Sequence, residues 1–358
     1  MRQYQWFGWT AVLLTSVLAR PSSAQSLRQA ADRIGFLMGS AVRPSQFSEP
    51  AYASTLAREF NLIEPEDVFK WWVVRANPSG FDFRASDEVV RFAEAHHMKV
   101  RGHCLVWGRT NPEWLTKAGY TPPQLSQILQ DHISTVMKHY AGKVFAWDVV
   151  NEALDENGEL RASIWYNQPG IGLAGKETAY IAQAFRWARA ADPQALLFYN
   201  DNGGEGLGRK SNAIYAMVED FKHRGVPIDG VGLQMHLSVS DVDVAAIASN
   251  ITRLTTLGLQ VHITEMDVAL PVDGSGGLRN AEDLQRQAGI YRGVLRACLE
   301  NPGCTALQTW GFTDMYSWIG SSSRGSKGWG LPFDRSYKPK PAYDALRDAL
   351  AAGRVAKR

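Results

Sequence analysis

Short runs of apolar residues recur along the chain and alternate with segments whose apolar residues are spaced three to four apart. Eight runs have the composition of buried strands: 34–38, 62–63, 100–106, 144–150, 196–199, 231–235, 261–264 and 306–310. The segments between them, such as 125–140 and 284–298, have the periodicity of helices with one buried face. Several of these helices are predicted to end at a glycine, for example Gly142, Gly225 or Gly258.

Eight alternations of strand and helix in a chain of this length predict a closed (β/α)8 barrel, the TIM barrel, as a single domain. A doubly wound open sheet has a similar pattern and is the alternative. No Gly-x-Gly-x-x-Gly sequence follows the first predicted strand, which weakens the dinucleotide-binding version of that alternative. Because the sequence shows neither a linker nor a repeat of 20–50 residues, we expect one catalytic domain over residues 25–358.

The N-terminal residues 1–24 have the pattern of a signal peptide. Arg2 precedes an apolar stretch over 6–19, and the small residues Ser22, Ser23 and Ala24 follow it. The stretch is short for a membrane span, and small residues at these positions suit cleavage after Ala24. We therefore expect a secreted or periplasmic protein, with an uncleaved N-terminal anchor as the alternative.

Export also makes disulfide bonds possible. Cys298 and Cys304 are separated by a turn-forming Asn-Pro-Gly sequence at 301–303, and this spacing predicts a disulfide between them. Cys104 is left without a partner, and we expect a buried free thiol there.

Composition and charge narrow the classes of function. The chain has 358 residues, 45% of them hydrophobic and 21% charged, and a formal net charge of +2, so it is neither disordered nor collagen-like. A net charge this close to zero gives no overall electrostatic attraction to nucleic acid or to a membrane surface. We therefore expect neither as a partner after signal cleavage. The sequence does contain 12 Trp, 12 Tyr and 32 Gly, a mixture often found around a polar ligand. We expect a monomer.

Polar residues at the ends of the predicted strands are the candidate catalytic residues, because the catalytic residues of such barrels lie at the C-terminal ends of the strands. Glu152 follows the fourth predicted strand and Glu265 lies at the end of the seventh, so both would project into one mouth. A single glutamate there could equally form an ion pair or cap a helix. Asn151 could, however, bind a sugar hydroxyl and His236 could hydrogen-bond Glu265, and a pair of carboxyl groups is what glycoside hydrolysis requires.

Four motifs resemble those of a known family. They are Val-Val-Asn-Glu at 149–152, Ile-Thr-Glu-Met-Asp at 263–267, Arg-Gly-His-Cys-Leu-Val-Trp at 101–107 and Trp-Gly-Phe-Thr-Asp-Met-Tyr-Ser-Trp at 310–318. The chain resembles glycoside hydrolase family 10, the retaining endo-β-1,4-xylanases, from about residue 27 to residue 343. The resemblance implies a retaining endo-β-1,4-xylanase that cleaves internal bonds of xylan by double displacement. It also implies a xylan-type polysaccharide or oligosaccharide as the substrate, no cofactor and no metal.

The resemblance further implies a role for each matching residue. Glu152 would be the acid/base and Glu265 the nucleophile, while Asn151 would donate to the 2-hydroxyl of the sugar at the cleavage point. His236 and Asp267 would orient Glu265 and tune its charge. The remaining matching residues would bind the substrate: Glu66, Lys70, His103, Trp107, Gln234, Trp310 and Trp318.

Two clustered segments depart from the family pattern. Asp67 stands where the family usually has Asn, and Gly108-Arg109-Thr110 stands where it has His-Ser-Gln. These changes remove two amide donors and add a negative charge on the glycone side of the cleft. We expect Arg109 to pair with Asp67 and both to contact the substrate. The alternative function is therefore a related retaining glycosidase acting on a different or decorated β-glycan. A carbohydrate-binding protein without turnover is a further alternative, which the intact pair of glutamates disfavours.

Overall fold

The computed structural model describes residues 1, 25–240 and 242–353. The strands in this part of the chain are β1 (Leu37–Val42), β2 (Leu62–Pro65), β3 (Lys99–Trp107), β4 (Ala146–Asn151), β5 (Leu196–Asp201), β6 (Gly230–Leu233), β7 (His236–Ser238), β8 (Gln260–Pro271), β9 (Cys304–Thr309) and β10 (Lys327–Gly328). The helices are α1 (Leu27–Ile34), α2 (Pro50–Glu59), α3 (Trp71–Val74), α4 (Arg84–Ala95), α5 (Glu113–Thr116), α6 (Pro122–His139), α7 (Ala179–Ala191), α8 (Arg209–His223), α9 (Val244–Thr256), α10 (Asp283–Leu299), α11 (Ile319–Ser322) and α12 (Pro341–Ala352), and a 3₁₀ helix spans Pro44–Gln46.

Eight parallel strands close into a barrel. β1 to β6 follow one another in chain order, β6 pairs with β8, β8 pairs with β9, and β9 returns to pair with β1. Helices connect these strands around the outside, as a (β/α)8 barrel requires. The predicted barrel is therefore confirmed, and the doubly wound open sheet is wrong. The two short strands β7 and β10 pair with the long β8 outside the barrel.

The predicted strands differ from the observed ones mainly at their ends. The first prediction began at Ile34, but Ile34 is the last residue of α1 and is buried on that helix's core face. Gly35 follows with φ 71°, and its N–H caps the helix by donating to the carbonyls of Ala31 and Asp32. The apolar run at 34–38 therefore includes the end of α1 and the start of β1. In the same way Met235, placed in a strand by the sequence, lies beyond β6 with φ 63°.

Helix packing on the barrel follows the predicted periodicity. Thr121 and Gln124 form a capping box at the start of α6, which fixes where this helix begins. Its buried residues include Leu125, Leu129 and Ile133, and they recur at the predicted spacing. The buried face of this helix therefore packs against the barrel, whose strand ends carry the site.

The cysteines are arranged as predicted. Cys298 near the end of α10 forms a disulfide bond with Cys304 at the start of β9, and Cys104 on β3 is buried with a free thiol. The predicted signal peptide over 1–24 lies, apart from Met1, outside the described residues. Among the helices that the structure describes, none is long and apolar enough to cross a membrane.

Candidate active site

The C-terminal ends of the barrel strands surround one cavity of about 350 Å³. It is lined by Arg43, Glu66, Asp67, Lys70, His103, Trp107, Arg109, Asn151, Glu152, Asn202, Gln234, His236, Glu265, Trp310 and Trp318. Every residue predicted to act in catalysis or substrate binding is in this set except Asp267, which lies behind His236 and hydrogen-bonds it. A second cavity of about 400 Å³ beside β10 contains none of them.

Glu152 is held at the mouth by its backbone and by its carboxylate. It directly follows β4 with φ 53°, and its N–H donates to the carbonyl of Asn200 at 2.9 Å. Its Oε2 accepts a hydrogen bond from Nε1 of Trp107 at 3.2 Å, and its Oε1 accepts one from Nε2 of Gln234 at 3.2 Å. Nε of Arg109 lies 3.1 Å from Oε2 and completes an ion pair. Both oxygens of this carboxylate therefore face nitrogen donors.

Glu265 lies within β8 and is almost wholly buried, with 4% of its surface exposed. Nδ2 of Asn200 donates to its Oε1 at 2.8 Å, and Nε2 of His236 lies 3.1 Å from its Oε2. The other ring nitrogen of His236 lies 2.9 Å from Oδ2 of Asp267, which also accepts a hydrogen bond from Nε1 of Trp318 at 2.8 Å. The buried carboxylate is thus held between a neutral amide and an imidazole that a second carboxylate orients.

This network sets the charge of both partners. Burial disfavours the charged imidazole, but the charge and hydrogen bond of Asp267, together with those of Glu265, outweigh it and raise the pKa of His236 to about 10. Burial also disfavours the charged form of Glu265, which by itself would raise the pKa of that carboxyl group. The hydrogen bond from His236, the charges of His103 and His236 and the hydrogen bond from Asn200 outweigh burial and hold that pKa below its ordinary value. At neutral pH the site therefore contains an imidazolium beside an ionised Glu265.

A chain of side-chain amides connects the two glutamates. Gln234, which hydrogen-bonds Glu152, also donates to Oδ1 of Asn151 at 3.2 Å. Asn200, which hydrogen-bonds Glu265, donates to the same Oδ1 at 2.9 Å. Because Oδ1 of Asn151 is occupied by these donors, its Nδ2 is the group left to donate to a ligand.

The cations at the other side of the cavity are paired with acids. Nε of Arg43 donates to Oε2 of Glu66 at 2.8 Å. Nζ of Lys70 lies 3.4 Å from Oδ1 of Asp67 and 5.0 Å from the centre of the Trp107 ring. This end of the cavity therefore combines fixed charges with an indole on which a sugar ring could stack.

The predicted pair between Arg109 and Asp67 is wrong. The guanidinium of Arg109 contacts Glu152 instead, and the ammonium of Lys70, three residues along the chain, contacts Asp67. The loop after β3 passes close to Ser163, where a Cβ on Gly108 would lie 3.0 Å from the serine Cβ. Lys70 already supplies a cation to Asp67, and Arg109 lies beside the acid at the mouth.

A buried ion-pair network lies beneath the cavity. Nδ1 of His103 lies 2.9 Å from Oδ2 of Asp148, and Arg101 pairs with the same carboxylate. Burial raises the pKa of Asp148, but these two partners outweigh it and lower that pKa. Glu64, His103 and Glu265 each place one potential metal-ligand atom within 4.8 Å of the others. Nε of Arg101 lies 3.6 Å from Glu64 and already supplies positive charge to this group.

Sequence reasoning missed several residues of the site. Asn200 joins both halves of the amide chain, and Oγ1 of Thr264 donates to its Oδ1 at 2.7 Å and so fixes its orientation. Arg43 and Asn202 line the cavity without having been singled out. The pattern that identified Glu152 was available for Asn200 and Asn202, since both follow the apolar run at 196–199.

Comparison with known proteins places the chain in a family. The sequence model of glycosyl hydrolase family 10 matches residues 26–349. Endo-1,4-beta-xylanase B of Thermotoga neapolitana is 39% identical over 342 residues, which are 95% of this chain and 95% of that protein. Endo-1,4-beta-xylanase C of Phanerodontia chrysosporium is 32% identical over 93% of this chain and 81% of its own length.

Solved structures agree with this placement. Native xylanase 10B of Thermotoga maritima superposes with a TM-score of 0.85 at 39% identity, over 91% of this chain and 98% of that one. Xylanase 10B of Thermotoga petrophila RKU-1, solved in complex with xylobiose, also gives a TM-score of 0.85 at 39% identity, over 91% of this chain and 97% of that one. The protein is therefore a member of glycosyl hydrolase family 10.

Proposed function

We propose that the protein is a retaining endo-1,4-β-xylanase that hydrolyses internal β-1,4-xylosidic bonds of xylan by double displacement. The observation that carries this proposal is the pair Glu152 and Glu265, held in one cavity by a shared chain of amides in a family 10 barrel. The relatives that cover most of the chain are named endo-1,4-beta-xylanases, and a similar structure contains xylobiose. We assign Glu152 as the acid/base and Glu265 as the nucleophile.

In the first step the two carboxyl groups act on opposite sides of the scissile bond. The proton of Glu152 passes to the glycosidic oxygen, and the bond between C1 and that oxygen breaks with its electron pair on the oxygen. A carboxylate oxygen of Glu265 forms a bond to C1. His236 suits this assignment, because its positive charge keeps Glu265 ionised and ready to attack.

In the second step water completes the hydrolysis. Glu152, now ionised, takes a proton from water while the water oxygen bonds to C1 and the bond from C1 to Glu265 breaks. The sugar is released with its original anomeric configuration. Nδ2 of Asn151 would hydrogen-bond the 2-hydroxyl in both steps, a contact that strengthens as charge develops on the ring.

The remaining side chains would bind the polysaccharide. The rings of Trp107, Trp310 and Trp318 offer faces for stacking, and Lys70 and His103 offer donors for hydroxyl groups. The reaction assigned to these residues uses no metal and no organic cofactor. We also propose that residues 1–24 direct export and that the mature chain begins at residue 25. N-terminal sequencing of protein recovered from the periplasm or medium would test this cleavage.

A substrate panel tests the function. The purified protein should release reducing ends from linear xylan and from arabinoxylan faster than from cellulose, β-mannan or mixed-linkage β-glucan. Early products should be oligosaccharides of several lengths, as expected for internal cleavage, and proton NMR should show the β-anomer first. Preference for another backbone would instead favour a related retaining glycosidase, and α-anomeric products would contradict double displacement.

A further inference from the structure

We infer that Arg109 is a positioning residue for the acid/base group and favours the first half of the reaction over the second. Its guanidinium stabilises the charge that Glu152 acquires when it gives up its proton. This inference rests on the proposed function and on the role of Glu152 within it. The contact that carries it is the ion pair of 3.1 Å between Nε of Arg109 and Oε2 of Glu152.

The loop after β3 holds Arg109 in this place. The carbonyl of Trp107 accepts hydrogen bonds of 3.0 Å from Nδ2 of Asn111 and from Nε1 of Trp165. A Cβ on Gly108 would lie 3.0 Å from the Cβ of Ser163, so a larger residue there would require Ser163 to move by a few tenths of an ångström. The first of these bonds closes the turn from Trp107 to Asn111 and the second ties it to Trp165, and Arg109 in the middle of this turn reaches Glu152.

The charges around Glu152 show why this arginine matters. Its two other donors, Nε1 of Trp107 and Nε2 of Gln234, are neutral. The acids and cations on the glycone side of the cavity pair with one another, as Lys70 does with Asp67. Arg109 is thus the cation paired with Glu152 among the described ion pairs.

The two steps respond to this cation in opposite directions. In the first step Glu152 changes from a neutral acid to a carboxylate, so a guanidinium beside it stabilises the charge that develops in the transition state. In the second step Glu152 changes from a carboxylate to a neutral acid, so the same contact is weakened as water is deprotonated. Removing the positive charge should therefore slow the first step and leave the second unchanged or faster.

Two aryl β-xylobiosides separate the steps. The phenyl glycoside has a poor leaving group that must be protonated as it departs. The 2,4-dinitrophenyl glycoside releases dinitrophenolate, which departs without a proton, so that the second step limits kcat. Arg109→Met should lower kcat/KM for the phenyl glycoside by about three- to fivefold, the size expected for an ion pair whose cation is half exposed. For the dinitrophenyl glycoside kcat/KM should not change, and kcat should stay the same or rise.

Three further variants show whether Arg109 acts through Glu152. Arg109→Lys should recover most of the loss, since it keeps the charge. In a Glu152→Ala background the change of Arg109 to Met should have no effect on either substrate. Arg224→Met is the matched control, because Arg224 is similarly exposed and pairs with Asp220 at the opposite face of the barrel.

The outcomes are distinguishable. Equal losses on both substrates, or the same loss with and without Glu152, would overturn the inference and show that Arg109 only shapes the loop or the cleft. In that case the wild-type protein would still cleave both glycosides, and the proposed function would stand. If the wild-type protein cleaves neither glycoside, the proposed function fails and the inference fails with it.

Discussion

Replacing His236 by Gln should move the acidic limb of the activity profile. In the native site His236 is a cation that lies 3.1 Å from Oε2 of Glu265 and 2.9 Å from Oδ2 of Asp267. Gln can keep a neutral N–H near Glu265 but cannot supply the charge. The free energy that favours ionised Glu265 therefore falls, and its pKa should rise.

The contact geometry gives the size of this change. The side chains of His236 and Glu265 are 19% and 5% exposed, so water screens their interaction only partly. A hydrogen bond to a charged group contributes about 1.5–3 kcal/mol, and a neutral donor retains part of it. A loss of about 1.4 kcal/mol corresponds to one pKa unit, so the acidic limb should move up by about one pH unit.

The assay is kcat/KM for a soluble aryl xylobioside across about pH 3–8, since this ratio reports ionisations of the free enzyme. His139→Gln is the matched control. His139 pairs with Asp87 at 2.9 Å, but at the end of α6 on the opposite face of the barrel, and its replacement should leave the profile unchanged. An acidic limb that stays in place in the His236 variant would refute the assignment of its charge to Glu265.

Three further predictions follow from the site and from the cysteines. Glu152→Ala should lose activity on xylan but still cleave dinitrophenyl xylobioside, and azide should rescue it to give a β-xylosyl azide; loss that azide cannot rescue would contradict its role as acid/base. Alkylation of the oxidised, unfolded protein followed by mass spectrometry should label Cys104 alone, whereas labels on Cys298 and Cys304 would exclude their disulfide. Asp67→Asn should raise kcat/KM on linear xylo-oligosaccharides by about threefold, because an amide can donate to a hydroxyl where a carboxylate cannot, and an unchanged value would mark this difference from the family as neutral.

The sequence predicted the barrel because its strands are buried on both faces and therefore appear as apolar runs. This same property made the ends of the strands difficult to predict. Ile34 belongs to the core face of α1, and only the left-handed Gly35 separates it from β1. The position of Glu152 and Glu265 was predictable, since each follows or ends an apolar run on a barrel strand.

Side-chain partners were less predictable than positions. The pairing of Arg109 depends on the course of the turn after β3, which no spacing in the sequence expresses. Asn200 was missed because an asparagine after a strand does not by itself identify an active-site residue. Its role depends on hydrogen bonds to Asn151 and Glu265 on two other strands. Such contacts depend on the register of neighbouring strands in the closed barrel.

Trapping of the glycosyl-enzyme intermediate tests the central claim most directly. A 2-deoxy-2-fluoro-β-xylobioside with a dinitrophenyl leaving group should inactivate the enzyme, because the fluorine slows the second step more than the activated first step. Mass spectrometry of the digested protein should then place one fluoroxylobiosyl group on Glu265. A label on Glu152, or an active enzyme that forms no covalent adduct, would contradict the account.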